Sequence, residues 1–201
     1  RHLEIRGLFD QSDDMAEFIQ KNSQWLVSIR SCYEIELPSV TLPHVVELFF
    51  IAKDMDRSKF FFLDEGLIRA APNVETLSVW GQIRNADVIK LIINLAHLKK
   101  LALEFGAADS ILPEFNRCRD FAFKLETFYC GAYLNLFNQC GSFLRFIKMH
   151  QNTLKSIKFK GTYELVKEVL HELPKLECLT FYPVVNPGSI IFFQNQQPLT
   201  K

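Results

Sequence analysis

One short arrangement of apolar and polar positions recurs along the chain: apolar-x-x-apolar-x-apolar. It is complete at Val45-x-x-Leu48-x-Phe50, Val74-x-x-Leu77-x-Val79, Leu98-x-x-Leu101-x-Leu103, Leu125-x-x-Phe128-x-Cys130, Leu154-x-x-Ile157-x-Phe159 and Leu176-x-x-Leu179-x-Phe181. A weaker copy stands at Leu26-x-x-Ile29, and Leu3-x-Ile5 reads as the end of another. From Leu26 onward the copies begin 19 to 29 residues apart. The alternation in the second half of each copy predicts a short strand with one buried face. Four copies share a lead-in with Glu or Lys one or two positions before the second anchor; they begin Leu42-Pro43-His44, Ala71-Pro72-Asn73, Leu95-Ala96-His97 and Leu173-Pro174-Lys175. Gly81, Gly106, Gly131 and Gly161 follow strands, where the chain has to turn sharply away from the sheet.

Between the strands the apolar period lengthens to that of a helix. Residues 13–22 place Met15, Phe18 and Ile19 on one face behind an acidic start. Residues 85–95 do the same with Val88, Leu91, Ile92 and Leu95, capped by Asn85 or Asp87. Residues 162–173 carry Leu165, Val169, Leu170 and Leu173 between a Thr162 cap and a Pro174 stop. Residues 143–150 read as another helix and 60–71 as a less regular one. A strand followed by a helix, stacked in series, gives a parallel sheet of seven or eight strands with helices on one side. The expected fold is therefore an α/β solenoid, with a curved parallel sheet on the concave face and irregular helices on the convex face. Residues 1–183 form the array. Residues 184–201 break the repeat at Asn186-Pro187-Gly188; their apolar run, 190–193, is expected to cover the last core layer, with a partner-binding tail as the alternative.

Composition narrows the class of job. The 201 residues include 23 Lys plus Arg and 23 Asp plus Glu, and 48% of them are hydrophobic. Such a chain buries a core, which excludes disorder and collagen. Zero net charge argues against a nucleic-acid binder, since phosphate contacts need a surplus of Lys and Arg. The first 20 residues are charged, which gives no secretory signal, and the longest uncharged stretch, 127–144, is too polar to span a membrane. Five scattered Cys read as reduced thiols. A cytoplasmic or nuclear location is expected. Because the chain opens inside the alternating run His2-Leu3-Glu4-Ile5, it is expected to be a fragment of something longer.

The repeat pattern and the Pro-x-apolar-Glu-x-Leu lead-ins resemble the leucine-rich repeat region of F-box proteins, over about residues 1–183. The resemblance implies a ubiquitin-ligase adaptor whose concave face holds a protein substrate. An F-box upstream, absent from this chain, would dock that complex onto the ligase scaffold. The regular Cys and Asn ladder of tidier family members is also absent. A leucine-rich repeat scaffold or sensor subunit with no ubiquitin link is the alternative reading.

Catalytic constellations are missing. The five His are far apart, and His44, His97 and His171 fall in or beside lead-ins as structural imidazoles. No Cys-x-x-Cys pair, no Gly-x-Ser-x-Gly elbow and no phosphate-binding glycine loop occurs. Asp10-x-Ser12-x-Asp14 has Met15 where a calcium loop needs Gly, and reads as a helix start. Cys118, between Arg117 and Arg119, and Cys140 are candidate reactive thiols, with inertness the expectation. No enzyme activity, cofactor or metal is expected. Contact with a protein is. The x positions of each copy point away from the core, and the candidate partner-binding residues on or beside that face are Phe49, Trp80, Tyr129, Lys158 and Tyr182. A second outward row, Val27, Val46, Glu75, Lys99, Glu126, Lys155 and Glu177, alternates in sign from Glu75 on. It reads as a self-neutralising ladder in preference to a charged recognition surface.

Overall fold

The second anchor of each copy pairs with the second anchor of the next, so that Ile29, Leu48, Leu77, Leu101, Phe128, Ile157 and Leu179 stand in one row across a sheet. This arrangement comes from a computed structural model, which describes residues 2–5, 12–31, 40–51, 65–81, 86–104, 106–118, 120–134, 137–183 and 191–194. Its elements in chain order are β1 (His2–Ile5), α1 (Ser12–Asn22), β2 (Ser28–Ser31), β3 (Glu47–Ile51), α2 (Glu65–Ala70), β4 (Thr76–Trp80) and α3 (Ala86–Ile93). They continue as β5 (Lys100–Glu104), α4 (Ala107–Phe115), β6 (Thr127–Leu134), α5 (Phe137–Met149), β7 (Ser156–Gly161), α6 (Tyr163–Glu172), β8 (Cys178–Pro183) and β9 (Ile191–Gln194). The fold is mixed α/β. Strands β1 to β8 lie side by side in sequence order, every pair parallel, and β9 adds to β8 antiparallel.

Sequential order in one direction has a consequence for the faces. Parallel crossovers are right-handed, so a sheet that always grows at the same edge receives all its crossover helices on one side. Neighbouring helices touch in turn from α2 to α6, and Ile68, Ile92, Ile111, Phe146 and Val169 join the anchors of the strands in a single apolar core. The lead-ins fix the register. Val45, Leu98 and Leu176 donate their N–H to the carbonyls of Leu42, Leu95 and Leu173 at 3.1–3.2 Å, closing turns in which Pro43 and Pro174 take the second position. Just past each turn one carbonyl serves the next copy twice. Those of Val27, Val46, Glu75, Lys99, Glu126 and Lys155 each accept two N–H groups at 2.8–3.3 Å.

Four features depart from the sequence expectation. Helix α4 carries Pro113 and follows a left-handed Gly106 (φ 77°), and it buries Ala107, Ala108, Ile111, Leu112 and Phe115; small residues and an internal Pro hid its period. Helix α5 begins earlier than 143. Gly81 and Gly106 turn with positive φ, but Gly131 and Gly161 lie inside strands and serve by lacking a side chain. The fourth is β9. The apolar run expected to cover the end pairs by backbone with β8, one residue later than 190–193; residue 190 and the rest of 184–201 lie outside the described residues. Of the helix expected at 60–71, residues 60–64 lie outside them too, as does the Asn85 cap. Thr162 does cap α6, accepting the Leu165 N–H at 3.3 Å.

Candidate functional site

Alternation along a strand sends every second side chain away from the helices. Pairing places Arg30, Phe49, Ser78, Ala102, Tyr129, Lys158 and Thr180 in one outward row. A second outward row runs beside it. Trp80 pairs with Glu104, Tyr133 with Lys160, and Lys160 in turn with Tyr182. A bulge at Gly131 and Ala132 brings Tyr133 into that row by inserting extra residues into β6.

These rows form two clusters. In the first, the Arg30 guanidinium lies 4.5 Å from the centroid of the Phe49 ring, and Phe49 meets Trp80 at 6.4 Å between centroids. In the second, the Lys158 ammonium stands 4.7 Å from the Tyr129 centroid and 5.2 Å from that of Tyr182, while Lys160 lies 5.5 Å from Tyr133. Cations over aromatic faces hold the rings in place and remain able to meet another group. Between the clusters the row drops to Ser78 and Ala102. Phe49 and Tyr129 are three strands apart, roughly 14 Å at about 4.8 Å per strand. The face therefore has two aromatic walls and a low floor.

Glu104 shapes the second wall. Burial first, and the neighbouring Glu104 carboxylate second, push the Tyr129 phenol well above its usual range. Any side chain at position 131 would overlap the Glu104 carboxylate, so Gly131 is what leaves room for it. The sign-alternating row closes on itself. Lys99 reaches Glu75 at 2.9 Å and Lys155 reaches Glu126 at 3.6 Å, all four half-exposed.

All five sequence-predicted contact residues lie on this face, in two groups: Phe49 with Trp80, and Tyr129 with Lys158 and Tyr182. Sequence reasoning missed Glu104 and Tyr133. Glu104 occupies the position equivalent to Trp80 and could have been found by reading that row across; Tyr133 was hidden by the bulge. His44, His97 and His171 are exposed. The unremarked His150 is the buried one, packed among Phe121, Phe123 and Phe146 with centroids 4.9–5.4 Å away, and its Nε2 has no hydrogen-bond partner. Burial drives its pKa from 6.5 down to about 4.

The thiols are held protonated where a shift is resolved. Burial pushes Cys130 up to about 12 and raises Cys140, whose Sγ donates to the Leu134 carbonyl at 3.4 Å. The Cys118 thiol points to the Glu114 carbonyl at 3.6 Å. Arg119 and Cys32 lie outside the described residues. Among the described residues no group of three or more His, Cys, Asp or Glu is placed to hold a metal, and no helix is long and apolar enough to cross a membrane. Comparison of the chain with family models, curated proteins and solved structures returned no significant match.

Proposed function

We propose that this chain is a protein-interaction module, a leucine-rich repeat solenoid whose sheet face is the receptor surface, working in the cytoplasm or nucleus as the substrate-recognition part of an F-box-type ubiquitin-ligase adaptor. Strands repeat at about 4.8 Å and packed helices at about 8–10 Å, so the helix side is the longer one and the sheet lines the concave side. Residues 1–183 are the array, and β9 within 184–201 occupies the edge of the last repeat. The observation that carries the reading is the face opposite the helices. It bears two aromatic–cation clusters that are half-exposed and separated by small side chains, the composition of interface anchors.

The work is positional. The module holds a protein while an upstream F-box brings the ligase scaffold; no bond-making step is assigned to it. The test is affinity purification and mass spectrometry of the full-length protein, repeated with Tyr129→Ala. Truncating a central aromatic anchor should weaken capture of the recovered partner by about 2 kcal/mol or more with little change in melting. Full capture by Tyr129→Ala, with loss on replacing the exposed Tyr163 and Leu170 of α6, would move the receptor surface to the helices. Recovery of a partner without ligase subunits would favour a scaffold or sensor.

A further inference from the structure

We infer that the Tyr129–Lys158–Tyr182 cluster is a carboxylate pocket that reads an acidic residue in an extended segment of the partner protein; this rests on the receptor-face reading above. Lys158 is half-buried between two rings. Among the described residues no carboxylate pairs with it, whereas Lys99 and Lys155 on the sign-alternating row each have one. An ammonium has three donors, and ring faces replace only part of the water it has lost. A carboxylate arriving there meets a cation already oriented and partly dried, where a charge-assisted hydrogen bond is strongest. The Glu104 carboxylate lies against Gly131 and beside Tyr129. Between the two rings the side chains beside Lys158 are small, with Thr180 next in its row and Thr127, Ser156 and Cys178 in the parallel outward row.

The local field has the matching sign. From β4 to β8, with the sign-alternating row included, the outward positions carry Lys99, Lys100, Lys155, Lys158 and Lys160 against Glu75, Glu104, Glu126 and Glu177, a surplus of one positive charge. The small surplus is positive, which favours acidic segments over basic ones. The far wall adds a second requirement. Phe49 and Trp80 lie three to four strands from Lys158, roughly 14–19 Å, which an extended chain at about 3.3 Å per residue covers in four to six residues. The fitting segment has Asp or Glu at one end and an apolar or aromatic side chain four to six positions away, crossing Ser78 and Ala102.

Selection of random peptides displayed against the whole chain tests this, with affinities of the selected peptides then measured by fluorescence anisotropy. Expected are peptides carrying an acidic residue at that spacing from an apolar one. Lys158→Gln should weaken them about tenfold or more, the worth of one charge-assisted hydrogen bond. Lys158→Arg should retain them, and replacing the peptide's Glu by Gln should cost the same factor without adding to Lys158→Gln. Unchanged melting of both variants separates lost contact from lost fold. Peptides that need Tyr129 but lack an acidic residue, or ignore Lys158→Gln, overturn the pocket and leave the receptor face standing. Peptides indifferent to Tyr129 and Lys158 alike, or none selected, overturn both.

Discussion

Leu101 and Ala102 are chain neighbours on β5, yet they belong to rows with opposite rules. Across the sheet the Leu101 row is apolar at every strand from β2 to β8, and the positions with an assigned exposure are all buried. The Ala102 row holds Arg, Phe, Ser, Ala, Tyr, Lys and Thr at the same spacing and on the same strands. Packing against the helices leaves the first row one chemistry, because an interior without partners for polar groups penalises any other. No such filter acts on the second. Its variety is free to be set by something outside the sheet, and that contrast is why the outward row is the place to look for function.

The sharpest way to break the contrast is to put outward chemistry on the inward row. Leu101 is 1% exposed. Leu101→Asp buries a carboxylate with no partner and should cost about 4 kcal/mol or more, unfolding the array or opening it at β5. Loss of the cooperative circular-dichroism melt is the expected outcome; a soluble variant melting like the parent would refute the register itself.

His150 is a natural case of a polar group on the inward side, and its cost depends on pH. The folded state keeps the imidazole neutral down to about pH 4, while the unfolded chain takes a proton near 6.5. Stability is therefore complete above about pH 6.5 and declines as pH falls toward 4, by roughly 3 kcal/mol at about 1.4 kcal/mol per pH unit. Urea melts of the parent and of His150→Phe between pH 7 and 4 should diverge as the pH falls. Parallel curves would mean that the ring is hydrated in the folded state.

Gly131 sharpens the contrast from the outward side. Its φ is not positive, so Ala is sterically possible for the backbone and the cost reports space alone. Gly131→Ala should destabilise by about 1–3 kcal/mol, because the new methyl overlaps the Glu104 carboxylate. In the double variant with Glu104→Ala much of that cost should disappear, leaving the backbone approach of 3.1 Å to the Glu104 Cα. Strict additivity of the two substitutions would show that Glu104 is not what fills the space.

How far the chain could be read without coordinates follows from the same contrast. The inward row was legible because one physical demand, burial on one strand face, acts at every copy; its partners from Ile29 to Leu179 follow from the spacing alone. The three helices with a regular apolar period and a cap or acidic start were legible for a similar reason. Helix α4 was not, since Pro113 and two alanines carry little periodic signal. Position on the outward face was legible for Phe49, Trp80, Tyr129, Lys158 and Tyr182, because it needs only register. Their grouping was not. The Glu104 contact depends on an absent side chain at Gly131, and the Tyr133 placement depends on a bulge that shifts the register after Cys130. Neither leaves a pattern in a single sequence.

The smallest effect is expected from the row that alternates in charge. Glu75 and Lys99 meet at 2.9 Å, and the hydrogen bond from Lys99 holds the Glu75 carboxyl below its usual range. Both side chains remain about half-exposed, where water and salt screen the pair and ordering two long side chains offsets what attraction is left. The strands themselves are held at this position by backbone, through the Glu75 carbonyl that accepts from Lys99 and Lys100 at 2.9 Å each, and a substitution leaves that carbonyl in place. Glu75→Lys should thus shift the melt less than Leu101→Asp or Gly131→Ala, the shift should shrink further in high salt, and capture of a partner should persist. Melting that drops as far as that of Gly131→Ala would make the ladder a determinant of register. Lost capture with an intact melt would move recognition from the Tyr129 row to the charged one.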